Sequence, residues 1–211
     1  MPSDGRTVTA IDASPAPVRV LVAEDDTALR GSLARDLGAA GHVVVDEVGT
    51  IGDVLERTRA LTPDVVLLDA HLGPGKLIEV AQTLARETPN VAVVFLCGES
   101  TFALEGDDAG TAAISVLPSS APAQVIDSSV RLAAHRAREL CVARAELAEA
   151  RQQLENRKTI ERAKGILMRR TGLSEQEAYR ILQRTSQDRS VPMVEVAREV
   201  LESEPGRQEA R

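Results

Sequence analysis

Two acidic clusters in the first third of the chain have the residue types and placement to do chemistry. Glu24-Asp25-Asp26 follows the apolar run Val18–Ala23, and Asp69 ends the apolar run Val65–Asp69. Apolar runs of this length, separated by helical patterns, read as buried parallel strands. Polar groups at the carboxyl ends of such strands converge on one crevice. Glu24, Asp25 and Asp69 are therefore expected to share a small space, where their mutual repulsion favours a joining cation. Oxygen donors without His or Cys suit a hard ion such as Mg²⁺. A carboxylate beside such an ion can attack a phosphoryl group and hold it as an acyl phosphate. A single strand-end acid is more often a plain cap; two clusters at matching strand ends are what point to a site.

A second set of candidate residues is basic and lies near the other end. From Asn156 to Val200 there are ten Lys and Arg against six Asp and Glu, whereas the remaining residues carry 15 basic and 26 acidic side chains. An acidic chain with a basic end suggests one module that meets a polyanion. A solvated helix face is the alternative reading of charge alone. Aromatic residues make up 1% of the chain, which argues against recognition built mainly on base stacking.

The elements that position the acids alternate in type. After Val18–Ala23, Leu29, Leu33 and Leu37 mark a helix that Gly38 and Gly41 stop. His42–Val48 reads as a strand, Ile51–Leu61 as a helix broken by Pro63, and Val65–Asp69 as a strand. Leu77–Arg86 follows as a helix, Val91–Leu96 as a strand, Thr101–Gly110 as a poorly formed helix and Ala112–Val116 as a weak fifth strand. The pattern predicts an α/β doubly wound parallel five-stranded sheet covered on both faces.

With the motifs LVAEDD and PDVVLLDAHLGPG in place, residues 18–130 resemble the receiver domain of two-component response regulators, a flavodoxin-like fold. The resemblance implies that Asp69 accepts a phosphoryl group from a histidine kinase. It also implies that Glu24 and Asp25 help to hold Mg²⁺, with the backbone carbonyl of His71 completing the site. Two switch positions depart from the family. Cys97 stands where a Thr or Ser is usual, and Leu117, before Pro118, stands where a Lys is usual. A thiol donates weakly and Leu carries no charge. The receiver is thus degenerate, with its acids present and its phosphoryl switch altered.

Ile126, Ala133, Leu140, Leu147 and Leu154 then recur every seven residues, with Ala143 and Ala150 three residues after two of them. This heptad seam on a continuous helix predicts a coiled-coil linker over residues 131–155. A homodimer coil and a helix folded against its own receiver are the two outcomes it allows.

The basic end predicts three helices. The first runs to about Thr171, with Ile160, Ala163 and Leu167 on one face, and Gly172 ends it. Ser174 and Glu177 form a capping box for the second, with Ala178, Ile181, Leu182 and Thr185 inward. Pro192 opens the third, with Val194, Ala197, Val200 and Leu201 inward. The run Ile160-Glu161-Arg162-Ala163-Lys164-Gly165-Ile166-Leu167-Met168, followed by Gly172-Leu173 and Glu177-Ala178-Tyr179-Arg180-Ile181-Leu182, closely resembles the ANTAR module of bacterial antitermination regulators. The resemblance implies binding to paired RNA hairpins, whose loop bases are open to hydrogen bonding. The residues expected at that contact are Arg162, Lys164, Gly165, Arg169, Arg170, Tyr179, Arg180 and Arg184. Tyr179 has two readings, a base stack or a filler between helices.

The expected organisation is a tail over residues 1–17, the receiver at 18–130, the coil at 131–155, an all-α RNA-binding domain at 156–203 and a tail at 204–211. Cys97 and Cys141 have no metal-ligand spacing. No apolar stretch reaches the roughly 20 residues that span a bilayer, and the N-terminus lacks the pattern of a signal peptide. The reading is a cytoplasmic, signal-responsive RNA-binding regulator without enzymatic activity. A DNA-binding response regulator and a non-phosphorylated dimeric scaffold are the alternatives, since three helices around a Gly turn also resemble a helix-turn-helix.

Overall fold

The protein is described here by a computed structural model covering residues 16–73, 77–98 and 114–203. Residues 1–15 of the expected N-terminal tail, the whole expected tail at 204–211 and the expected helix Thr101–Gly110 lie outside the described residues. The chain divides into two compact units, Met1–Val142 and Ala143–Arg211.

The first unit contains β1 (Arg19–Ala23), α1 (Thr27–Ala39), β2 (Val43–Val48), α2 (Ile51–Leu61), β3 (Val65–Asp69), α3 (Leu77–Glu87), β4 (Ala92–Cys97) and β5 (Ile114–Pro118). A single 3₁₀ turn, Ala70–Leu72, follows β3. All strand pairs are parallel, in the order β2-β1-β3-β4-β5. That order reverses direction at β1, so the crevice beyond the ends of β1 and β3 is where ligands bind in such sheets.

Period-two alternation sends neighbouring residues of each strand to opposite faces. Val20, Val22, Val65, Leu67, Val94 and Leu96 pack with Leu33 and Leu37 of α1 and with the first part of α4 (Ala123–Thr171). Leu21, Ala23, Val66, Leu68, Val93 and Phe95 pack on the other face with Val54 of α2 and Val80, Ala81 and Leu84 of α3. The inner strands β1, β3 and β4 are covered on both faces, which is why they read as unbroken apolar runs.

The heptad seam is split by this packing. Ile126 and Ala133 are buried in the receiver's own core, as are Val130, Ala134 and Ala137. Leu140, Leu147 and Leu154 are exposed. The start of α4 is also fastened by polar contacts. Asp127 Oδ1 lies 2.7 Å from His42 Nε2 and accepts from Arg131 Nε at 2.8 Å, while Arg131 donates to the carbonyl of Ala40.

In the second unit, α5 (Glu175–Arg189) and α6 (Met193–Glu202) follow the end of α4. Gly172 has φ +69°, the left-handed conformation that ends a helix at no steric expense. Ser174 caps α5, and its capping box with Glu177 is complete. Pro192 is the N-cap of α6. The core joins Ala163 and Leu182 with Val196 and Ala197. Two inward assignments are corrected. Ile181 is 43% exposed, and Val196 rather than Val194 is the buried valine of α6. Val194 and Val196 stand about 200° apart around a helix, so only one of them faces the core.

Candidate functional sites

The acidic pocket is built by strand ends. β1 delivers Glu24 and Asp25, and β3 delivers Asp69. Carboxylate oxygens of Glu24, Asp25 and Asp69 lie within 4.8 Å of one another. Glu24 and Asp69 are each 2% exposed, and Asp25 is exposed. Asp26 has a different role: its carboxylate accepts from the N–H groups of Ala28 and Leu29 and caps α1. Those two hydrogen bonds hold its carboxyl below the usual range.

Glu24 is pushed up to about 7, first by burial and then by the charges of Asp69 and Asp25, against a lowering hydrogen bond from the Asp26 N–H. Its Oε2 is buried without a hydrogen-bond partner among the described residues. A buried, partnerless carboxylate oxygen facing two further carboxylates fits an oxygen-coordinated divalent cation. Mg²⁺ suits these donors.

Asp69 is held from two sides. Its Oδ2 accepts from the backbone N–H of His71 at 2.7 Å and lies 3.1 Å from His71 Nδ1. Its Oδ1 lies 3.5 Å from the hydroxyl of Ser119. His71, Gly98 and Ser119 line the pocket with the acids. Neither altered switch position is among the described residues that line it. Cys97 is buried in the core beside α2 and α3, and burial, with Asp69 second, pushes its thiol up. Leu117 packs against the opposite core. Ser119 was not singled out by sequence reasoning. Its only sequence signal was a hydroxyl residue just beyond the strand-five proline.

The candidate nucleic-acid residues are sorted by their surroundings. Lys164 Nζ bonds Glu161 at 2.8 and 3.0 Å and Glu175 at 2.7 Å, and the residue is only 7% exposed. Lys164 was expected at the RNA contact, and in the structure two neighbouring carboxylates hold its ammonium. They also push its pKa up, Glu161 before Glu175. Lys164 further lies 5.9 Å from the centre of the Tyr179 ring, within cation–π reach. Tyr179 remains 42% exposed. Lys164, Tyr179 and Arg180 line one groove with Gln176 and Gln183.

The other candidates divide further. Arg170 donates to the Ser203 hydroxyl and carbonyl, tying the end of α4 to the end of α6. Arg169 extends beside Gly165, where an added Cβ would stand 3.7 Å from its Nη1. Arg162 and Arg180 are exposed, and Arg184 makes a long 3.7 Å pair with Asp188. Arg189 chelates Glu199 through both terminal nitrogens.

A five-stranded parallel sheet with this acid pocket is the receiver of a response regulator, and the helical unit after it is of the ANTAR type. The response regulator receiver domain family matches residues 20–115 and the ANTAR domain family matches residues 148–201. The transcriptional regulatory protein PdtaR of Mycobacterium tuberculosis (strain ATCC 25618 / H37Rv) is 33% identical over 188 residues, covering 89% of this chain and 91% of that protein. The chain belongs to the response regulators that join a receiver to an ANTAR domain, the antitermination kind. The nitrate regulatory protein of Klebsiella oxytoca is 39% identical over 72 residues, 34% of this chain and 17% of that protein. Among known structures, the receiver domain of the putative response regulator NarL from M. tuberculosis matches with a TM-score of 0.51 and 26% identity, over 57% of this chain and 98% of that one. No helix among the described residues is long and apolar enough to cross a membrane.

Proposed function

We propose that this regulator binds paired RNA hairpins through its C-terminal unit, under the control of a receiver that takes a phosphoryl group on Asp69. The observation that carries the RNA reading is the groove in which exposed Tyr179 and Arg180 stand beside ion-paired Lys164. An exposed ring offers a stacking platform, and a guanidinium offers a charged fork for phosphate or guanine. Arg162, Arg169 and Arg184 add charge for the backbone, Gly165 keeps that surface low, and Arg170 acts through the fold. Lys164 sets the position of Tyr179.

In the receiver, Asp69 is the nucleophile. One of its oxygens bonds to the phosphorus of a phosphoimidazole from a histidine kinase. The phosphorus–nitrogen bond breaks, and the imidazole leaves with the electron pair and takes up a proton. Glu24, Asp25, Asp69 and the His71 carbonyl are the oxygens that would hold Mg²⁺, which when bound offsets their repulsion and polarises the phosphoryl oxygens. The His71 N–H orients Asp69. The reading makes the protein a cytoplasmic regulator rather than an enzyme.

Dimerisation through α4 is part of the same reading, because Leu140, Leu147 and Leu154 are exposed at heptad spacing. Glu139 and Glu146 precede Arg144 and Arg151 by five residues. These are flanking coil positions that attract in a parallel pair and repel in an antiparallel one.

The test is competition between RNA hairpins and duplex DNA for the full chain at matched salt. Hairpins should win, and Arg180→Ala should weaken binding while reducing the salt slope by about one. Preference for duplex DNA would select a DNA-binding regulator instead.

A further inference from the structure

We propose that the Ser119 hydroxyl holds the phosphoryl group on Asp69, supplying from beyond β5 a contact for which Cys97 is a weak donor and Leu117 has no donor. The inference rests on Asp69 being the phospho-acceptor. It adds a residue that neither the receiver resemblance nor the strand pattern assigns.

The geometry isolates Ser119 from its neighbours. Cys97 is 5% exposed and packed among Leu68, Val80 and Phe95 on one face of the sheet. Leu117 packs against the core on the other face. Ser119 is the next residue but one, beyond the end of β5, where alternation no longer commits a side chain to either core. Its backbone N–H donates to the Cys97 carbonyl at 2.7 Å, which pins it beside the end of β4. Its hydroxyl then faces Asp69 Oδ1, while Oδ2 on the other side is occupied by His71.

The distance supports an anion larger than the bare acid. At 3.5 Å the hydroxyl is at the outer limit for an O–H···O bond, whose usual length is about 2.7–2.8 Å. A phosphoryl group projects further from β3 than the carboxylate does and carries more charge, so a bond to it is shorter and stronger. The position also has a consequence for signalling. Only residues 120–122 separate Ser119 from the first residue of α4, and Ala121 N–H bonds the Pro118 carbonyl in between. A pull on Ser119 therefore acts where the output helix begins.

The test uses the full chain with Mg²⁺ and beryllofluoride, a stable stand-in for the phosphoryl group, followed by titration calorimetry and ¹⁹F NMR. Wild type should bind. Ser119→Ala should bind about tenfold or more weakly, the size of a hydrogen bond to a charged group. Its Mg²⁺ affinity should stay within about twofold, because the carboxylates are untouched. Ser119→Thr should restore binding to within about threefold of wild type, since it keeps the hydroxyl. Equal beryllofluoride affinity in wild type and Ser119→Ala overturns the inference and leaves Asp69 as acceptor. Loss of both ligands in Ser119→Ala makes the residue structural and also overturns it. A wild type that ignores beryllofluoride at saturating Mg²⁺ removes the acceptor reading and this inference together.

Discussion

Lys164 Nζ lies 2.7 Å from Glu175 Oε1, joining the end of the long helix α4 to the first turn of α5. The lysine stem is buried and the two glutamates that bind its head, Glu161 and Glu175, face water. It is a cross-brace between two helices before it is anything to RNA.

Replacing Lys164 by Ala should therefore unfold the module more easily. Exposed carboxylate partners weaken the pair, so the expected loss is only about 1 kcal/mol, a fall of several degrees in Tm. Lys164→Met keeps the apolar stem and should recover part of it. Tyr179 is the chain's one tyrosine, so near-ultraviolet tyrosine dichroism during melting reports this module alone. An unchanged Tm in Lys164→Ala would contradict the brace.

Acid should loosen the same module. Glu175 is held below its usual range by the Lys164 hydrogen bond and charge, Glu177 by the Ser174 hydroxyl and N–H, and Glu199 first by its bond to Arg189. A depressed carboxyl contributes stability that is complete above the unfolded-state pKa and disappears as pH falls through the folded one. The tyrosine-monitored Tm should be flat near neutrality and drop below the ordinary glutamate range. Glu175→Gln should flatten part of that drop.

In the receiver the sign is opposite. Glu24 titrates near 7, above its unfolded value, so without metal its contribution to stability is present at low pH and lost as pH rises through 7. Glu24→Gln should raise metal-free stability at pH 8 by roughly 1–2 kcal/mol. The same variant should abolish Mg²⁺ binding, which in wild type should tighten from pH 6 to 8. Calorimetry across that range checks both, and pH-independent Mg²⁺ affinity would remove the metal role from Glu24.

Leu147 tests the coil. Its side chain is 51% exposed, so Leu147→Glu leaves both cores intact. If the α4 seam pairs two chains, sedimentation should show the dimer's Kd rising by about tenfold or more, with helix content retained at concentrations where wild type is dimeric. An identical association constant would exclude this seam.

Much of the fold was legible because its signals are local. The apolar runs of β1, β3 and β4 are buried on both faces, so the strands carry no alternation and give way at Glu24, Asp69 and Cys97. The Ser174–Glu177 capping box needs only three residues of separation, and it formed as its spacing required. The heptad seam was harder, because a period of seven does not say what covers it. The receiver's core took Ile126 and Ala133 and left Leu140, Leu147 and Leu154 in water.

By itself the sequence determined the order of elements, the acids at the strand ends and the family to which both units belong. Tertiary structure decided which of those groups are free to act. Glu24 Oε2 lacks a partner among the described residues because β1 and β3 pair side by side and bury it, and Ser119 meets Asp69 across 50 positions because β4 and β5 fix their register. Lys164 is engaged because the turn at Gly172 brings Glu175 back beside α4. Such meetings depend on how distant segments pack, and a string of residues read one window at a time does not contain that distance.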